Sequence, residues 1–201
     1  QYSICSVRRE HGCRHLHVWS RLMGIPTLIT TETASNDSSV SITSGIDSTY
    51  DEYMFVFTDI GPATDDQQFM FQVNAAGQSG FNEILTSTFF GTKHNEDDSG
   101  TPTLAYATGN DHAQDTGYQF LSTGTGSAAD ESGAGILHLF SPSNTTYVTH
   151  FYATMNNYSA SVRTMQNFIA GYFNITAAVD EISFKFSSGN FDGVIQMYGI
   201  A

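Results

Sequence analysis

The segment QFMFQV, residues 68–73, places a large apolar side chain at every second position. Its two phenylalanines and its valine would lie on one face of a strand and its glutamines and methionine on the other, because successive side chains of a strand point to opposite faces. The segment ISFKF at 182–186 follows the same pattern, with its serine and lysine facing outward. The segment YMFVF at 53–57 is continuously apolar, as is typical of a strand covered on both faces. These three segments predict strands that line a common core.

Further candidate strands combine β-branched or aromatic residues with turn residues at their ends. They are residues 27–33, 84–90, 104–106, 118–121, 136–140, 147–154, 169–175 and 194–200. Pro62, Pro102 and Pro142 lie between candidates, where a missing backbone donor breaks no ladder. The sequence SGNFDG at 188–193 has the composition of a turn, and it predicts a hairpin between the last two strands.

No segment keeps an apolar stripe at helical spacing over three turns, and only residues 155–168 could hold a short helix. About ten strands without crossover helices favour antiparallel pairing. The sequence therefore predicts an all-β fold, an antiparallel two-sheet β-sandwich of jelly-roll type. The predicted core contains the phenylalanines that lie on the apolar side of a strand or in an unbroken apolar run. They are Phe55, Phe57, Phe69, Phe71, Phe151, Phe173, Phe184 and Phe186.

The composition changes abruptly at Met23, which divides the chain into two parts. Residues 1–22 hold both cysteines, the only tryptophan and four of the seven basic side chains. We expect residues 1–22 to be a non-native or disordered leader and residues 23–201 to form a single β-sandwich domain. The leader also contains five cysteine and histidine residues that could bind zinc, but their spacing fits no paired zinc-ligand template. These residues are Cys5, His11, Cys13, His15 and His17.

Removal of residues 1–22 is expected to leave the melting temperature within about 3 °C of that of the full chain, because an unpacked tail contributes little to stability. Differential scanning calorimetry of the two forms measures the difference. A fall of more than about 10 °C would mean that the leader packs on the core, and the zinc interpretation would then need testing.

The net charge of −13 argues against several classes of partner. A phosphate backbone would be repelled, so we expect no nucleic-acid binding. No run approaches the roughly 20 apolar residues of a membrane span, so we expect no membrane insertion. Charged residues make up only 13% of the chain, which predicts a largely neutral, polar surface.

The strongest metal-site pattern is the acidic segment HNEDDSG at 94–100. Asn95, Asp97 and Ser99 alternate there as in the first half of a calcium loop, and a glycine follows. The twelfth position is Tyr106 instead of the bidentate glutamate that such a loop requires. These three residues are therefore candidate ligands for weakly bound calcium. We predict that the protein has no resident metal and no cofactor.

Motifs for catalysis are missing from the sequence. The chain has no Gly-x-Ser-x-Gly nucleophile elbow, and the acidic residues show no spacing that singles out a catalytic pair. We therefore expect no enzymatic activity and predict no catalytic residues. His138 and His150 lie in neighbouring candidate strands and could meet as a pair, although hydrogen-bonded core or interface positions are more common for such histidines.

Tyr106, Tyr118 and Tyr158 are the candidate ligand-binding residues, because exposed tyrosine rings can stack on sugars. We expect them to lie on loops at the surface of a rigid sandwich, where binding residues are often found. Tyrosine is common in β proteins, so this signal has low specificity.

Several strings of the sequence are similar to those of one family. They are GIPTLI at 24–29, TASNDSS at 33–39, IGPATDD at 60–66, DESGAG at 130–135, FSPSNTTYV at 140–148 and FSSGNFDGVIQMYG at 186–199. The chain from residue 23 to 201 resembles virion structural proteins of marine tailed bacteriophages, a family without a catalytic motif. The resemblance implies a particle component, either a tail-fibre or receptor-binding module or a capsid-decoration protein.

This resemblance makes a virion protein on the surface of an extracellular particle the leading expectation. Its partners would be other virion proteins, further copies of itself and a host surface glycan. The alternatives are a free-standing carbohydrate-binding, lectin-like domain and a polysaccharide depolymerase. A depolymerase would need two carboxylates about 5–10 Å apart in a groove.

The last strand predicts self-association. In residues 194–200, Val194, Tyr198 and Ile200 share one face, and Ile195 and Met197 share the other. A sandwich covers only one of these faces, so the second would remain as an apolar stripe unless other subunits bury it or a loop, such as residues 122–133, folds over it in a monomer. Cyclic symmetry closes such contacts, and the phage resemblance favours a homotrimer.

Overall fold

A computed structural model describes residues 24–201, which form strands and connecting turns without a helix. The thirteen strands are β1 (Thr27–Asp37), β2 (Val40–Ile42), β3 (Glu52–Pro62), β4 (Phe69–Ala75), β5 (Leu85–Asn95), β6 (Thr103–Tyr106), β7 (Ala113–Asp115), β8 (Gln119–Phe120), β9 (Gly133–Phe140), β10 (Thr149–Ser159), β11 (Arg163–Phe173), β12 (Val179–Phe186) and β13 (Phe191–Ile200). The sequence-based expectations about residues 1–22, including the zinc-ligand types and the leader itself, lie outside the described residues.

The strands form two antiparallel sheets that pack as a sandwich, so the predicted fold class is confirmed. The nine-stranded sheet has the order β1-β13-β3-β9-β10-β11-β5-β6, with β7 also paired to β5. The four-stranded sheet has the order β2-β12-β4-β8. Eight strands, β1 to β4 and then β8, β9, β12 and β13, form the jelly-roll wrapping: along the chain they change sheet at every step except from β4 to β8, which are neighbours in the small sheet.

Five strands extend the larger sheet beyond this jelly roll. β10 and β11 follow β9 as an antiparallel ribbon, and β5 pairs along the whole length of β11. β6 and β7 then pair with β5 at the edge. With this extension the large sheet has nine strands and the small sheet has four. The outer face of the large sheet is therefore broad.

The core between the sheets is built from phenylalanine, as predicted. All eight phenylalanines named in the sequence analysis are buried. Phe184 of β12 lies at the centre, with its ring centroid 5.3 Å from that of Phe57 and 5.6 Å from that of Phe55 in the opposite sheet. Phe69 and Phe71 of the neighbouring strand also approach it, at 6.1 and 6.5 Å. Such tilted and edge-to-face contacts add to the stability gained from burial.

The predicted hairpin at 188–193 is wrong, because the last two strands belong to different sheets. β12 pairs with β2 and β4, whereas β13 pairs with β1 and β3. The connection crosses one end of the sandwich, and the rings of Phe186 and Phe191 on its two sides lie 5.8 Å apart in the core. Local turn composition does not distinguish a hairpin from such a crossing.

The short helix considered at 155–168 is also wrong. This segment forms the end of β10, a turn in which Val162 has a φ of 54°, and the start of β11. Its buried side chains include Asn157 and Asn167, joined by a 3.1 Å hydrogen bond, and Asn157 also donates to the carbonyl of Thr123. Because polar residues fill the inward positions, the strand lacks the apolar alternation that would have revealed it.

The burial of side chains in β4 and β3 differs from the prediction. Every residue of β4 is buried, including Met70 and Gln72, which the alternation placed on an outward face. The amide of Gln72 donates to the carbonyls of Glu83, Thr116 and Gly117, so connecting loops cover that side of the small sheet. In β3, by contrast, Met54 and Val56 are only half-buried, so the apolar run at 53–57 is fully covered on one face alone.

The described part of the chain also contains no helix of the length and hydropathy needed to cross a membrane.

Candidate functional site

The outer side of the large sheet carries a broad set of apolar and aromatic side chains, here called the outer aromatic face. Alternation along each strand sends one set of residues to the core and the other set to this face. The register between strands brings the outward residues of β3, β5, β6, β9, β10 and β11 side by side. The face consists of Met54, Val56, Phe90, Leu104, Tyr106, Ile136, His138, Phe140, Tyr152 and Phe168.

Ring stacking orders the middle of this face. The ring of Tyr152 lies 4.5 Å from that of His138 and 5.6 Å from that of Phe140, in both cases stacked. Phe90 and Phe168 are stacked at 5.0 Å on adjacent strands and remain partly exposed. Cross-strand stacking of this kind holds the side chains in place before any partner binds.

The outer aromatic face is almost free of charge. None of the outward residues of β5, β6, β9, β10 and β11 is a carboxylate. Two carboxylates border them: that of Glu52 in β3, hydrogen-bonded to Nδ1 of His138, and that of Asp111, which accepts from the hydroxyl of Tyr106. In a chain with a net charge of −13, this neutral area is where a partner can approach with least repulsion.

A cavity of about 340 Å³ lies at the end of this sheet face, beside the turn between β10 and β11. It is lined by His94, Glu96, Asn156, Tyr158, Arg163 and Thr164. The hydroxyl of Tyr158 donates a 2.7 Å hydrogen bond to the carboxylate of Glu96. This bond raises the pKa of Tyr158 to about 12, because a carboxylate at that distance disfavours the phenolate.

The substitution Glu96→Gln is expected to lower the pKa of Tyr158 from about 12 towards the ordinary value of 10.0, because it removes the charge that opposes phenolate formation. Titration followed by NMR of the tyrosine ring carbons measures this pKa. Asp98→Asn is the matched control, because Asp98 is bonded to His94 and should leave Tyr158 unchanged. A pKa that stays near 12 in Glu96→Gln would contradict the assigned cause.

The structure does not bring the three candidate tyrosines together, and two of them lie in strands instead of loops. Tyr106 is exposed on the edge strand β6 and donates to Asp111 at 2.6 Å. Tyr118 precedes β8 on the other side of the sandwich, with Nζ of Lys185 4.1 Å from its ring centre. Only Tyr158, in β10, lines a cavity that contains other polar groups.

The three calcium candidates form a compact hydrogen-bonded turn. The side-chain amide of Asn95 donates to the carbonyl of Ser99 at 2.8 Å, and the backbone amide of Ser99 donates to Asp97 at 2.9 Å. Hydrogen bonds from Ser99 lower the pKa of Asp97, because they favour its ionised form. Within residues 24–201, no group of three or more His, Cys, Asp or Glu side chains is arranged to hold a metal ion. Weak calcium binding stays a prediction.

His138 and His150 lie on the same face of adjacent strands but have different partners. His138 opposes Tyr152 in the register, and His150 opposes Phe140. His138 is bonded to Glu52, whereas the ring of His150 packs against that of Tyr172 at 5.9 Å. The arrangement places both histidines at a surface, with no hydrogen bond between them among the described residues.

Sequence reasoning did not identify Arg163 or Asn156 as site residues, nor Glu96 as the partner of Tyr158. These residues belong to three different strands or strand ends and converge only through the antiparallel register. One signal in the sequence could have identified Arg163, since it is the only arginine after residue 21.

Comparison with protein-family models, curated proteins and solved structures finds no match to this chain.

Proposed function

We propose that this chain is a structural protein of a bacteriophage particle, a non-enzymatic module displayed on the virion surface in a tail fibre or as a capsid decoration. The observation that supports this best is the outer aromatic face, which no other part of residues 24–201 covers. Exposed apolar areas of this breadth mark interaction sites, because most monomeric proteins avoid them. Double-sheet jelly rolls occur in viral capsid and lectin domains, and this analogy of fold agrees with the proposal.

The occupant of the outer aromatic face is a second copy of this chain. Six adjacent strands spaced about 4.8 Å apart cover about 29 Å, and the roughly seven residues of a strand between the rows of Phe140 and Leu104 extend about 23 Å. The face therefore offers on the order of 700 Å², close to the roughly 800 Å² that each partner of a stable interface buries. A neutral face also suits a copy of an acidic protein, because it keeps the carboxylates of the two subunits apart.

The subunits form a closed ring, for which a homotrimer is the favoured symmetry. The alternation predicted for residues 194–200 is confirmed: Ile195 and Met197 are fully buried in the core, and Val194, Tyr198 and Ile200 are half-buried on the outer side. Burial of these outer residues between subunits extends the outer aromatic face across β13. Cyclic symmetry limits such an assembly to a fixed size.

Mass spectrometry of purified particles, followed by electron microscopy with a labelled antibody, tests this proposal. We expect to find the protein in the particle fraction, with a copy number per particle that is a multiple of the number of subunits in its oligomer. The antibody label should lie on the fibre tips or on the head surface. Recovery only outside the particles would reject the proposal. It would favour the alternative of a free-standing carbohydrate-binding domain, which the cavity beside Tyr158 supports.

A further inference from the structure

The cavity beside the turn between β10 and β11 is not used by the proposed self-association. All of its lining residues except Asn156 lie beyond the row of Leu104, at the end of the sheet where Tyr158 of β10 opposes Thr164 of β11 and Thr164 opposes His94 of β5. A ligand could therefore occupy it while a second copy covers the outer aromatic face.

The guanidinium of Arg163 has no partner within residues 24–201. Its side chain is partly buried, its Nε atom is fully buried without a hydrogen bond, and it forms no ion pair with another described residue. A buried N–H donor without an acceptor is costly, and Nε of Arg163 is such a donor. In an acidic protein, an arginine without a carboxylate partner is a candidate to donate hydrogen bonds to oxygen atoms of a ligand.

The other lining residues supply both acceptors and donors. Glu96 has one carboxylate oxygen that is not engaged by Tyr158. The amide of Asn156 donates to Thr164 and to the carbonyl of Met165, so its own carbonyl oxygen is free to accept. The hydroxyl of Thr164 accepts from Asn156 and can still donate.

The lining carries charges of both signs, so charge alone favours neither an anion nor a cation. Glu96 opposes an anion, as do Asp130 and Glu131, which act electrostatically on Tyr158. Arg163 opposes a cation. A neutral ligand with several hydroxyl groups suits this mixture, because each hydroxyl can donate to a carboxylate or carbonyl oxygen and accept from a guanidinium.

The shape of the cavity agrees with a single sugar ring. Its volume of about 340 Å³ lies near the lower end of the range of roughly 300–1,000 Å³ for small-molecule sites. The half-buried ring of Tyr158 is held by its bond to Glu96 and offers an apolar face beside the polar groups. Sugars present both polar edges and apolar C–H faces, and an aromatic ring next to a polar cluster matches both.

We propose that this cavity binds a neutral hexopyranose unit of a surface glycan, with Arg163, Glu96 and Asn156 bonding its hydroxyls and Tyr158 contacting its apolar face. The inference rests on the proposed function, since it names the ligand class of a receptor-binding module. The choice of a neutral sugar as ligand depends only on the residues that line the cavity.

Saturation-transfer NMR and titration calorimetry on the full chain test this inference. The probes are the methyl glycosides of glucose, galactose, mannose and N-acetylglucosamine, together with the methyl glycoside of glucuronic acid. We expect at least one neutral glycoside to bind with a Kd of about 1 mM or tighter. The glucuronide should bind more weakly than the glucoside, from which it differs only by a carboxylate.

Substitutions connect the binding to the cavity. Arg163→Met keeps the apolar stem of the side chain and removes the guanidinium, and it is expected to weaken binding at least about tenfold because the hydrogen bonds donated by this charged group are lost. Tyr118→Phe, on the other side of the sandwich, is the matched control and should bind as the unsubstituted chain does. Thermal melting confirms that each variant is folded.

Failure of every neutral glycoside to bind, tighter binding of the glucuronide, or unchanged binding by a folded Arg163→Met variant would each reject the sugar site. None of these results bears on whether the protein is part of a particle. The particle-fraction experiment decides that question separately.

Discussion

Phe184→Ala is expected to lower the free energy of unfolding by about 3–5 kcal/mol, the range found for removal of a fully buried phenylalanine ring. Phe184 is completely buried at the middle of the core, and its ring contacts phenylalanines of both sheets. Its removal leaves a cavity walled by phenylalanines of β3 in one sheet and β4 in the other, so the surrounding structure can collapse only in part.

Denaturant unfolding followed by tryptophan-independent signals, such as far-ultraviolet circular dichroism, measures this change. The melting temperature should fall by about 6–20 °C, given about 2–4 °C per kcal/mol for a chain of this size. Ile25→Ala is the control, because Ile25 is 61% exposed, precedes β1 and lies outside the outer aromatic face, so that it should change stability by about 0.5 kcal/mol or less. A cost below about 1 kcal/mol for Phe184→Ala would mean that β12 does not face the core.

Phe168→Glu is expected to convert the proposed closed homo-oligomer into monomers at micromolar concentration. Phe168 lies near the middle of the outer aromatic face and is 37% exposed within one subunit, so the charge is tolerated by the monomer. Between two copies the carboxylate would be desolvated without a partner, at a cost of several kcal/mol that falls on association alone. Residues near the centre of an interface have the largest such effects.

Multi-angle light scattering on the full chain gives the mass of each form. Gln78→Glu is the matched control, because it adds the same charge at an exposed position on the loop after β4 in the other sheet. The control should keep the mass of the oligomer, and circular dichroism should show both variants folded. If the unsubstituted chain is already a monomer, or if Phe168→Glu keeps the oligomer mass, the outer aromatic face is not the contact between copies.

The sequence determined which residues form the core, because the relevant signal is local. Alternation in segments such as 68–73 and 182–186 identified the inward phenylalanines and the all-β class. The alternation of residues 194–200 similarly indicated which side chains of β13 would point away from the core. Strand geometry fixes the direction of each side chain relative to its neighbours in sequence, so no long-range information was needed for these inferences.

The tertiary structure alone decided how the strands are ordered and what covers them. The crossing at 188–193, the burial of Gln72 under loops and the extension of the large sheet by β10, β11 and β5 all depend on contacts between distant segments. The cavity has the same origin, since Glu96, Tyr158 and Arg163 meet only because two antiparallel registers bring three strands together. Periodicity assigns a side chain to a face, but only the pairing of strands assigns that face its neighbours.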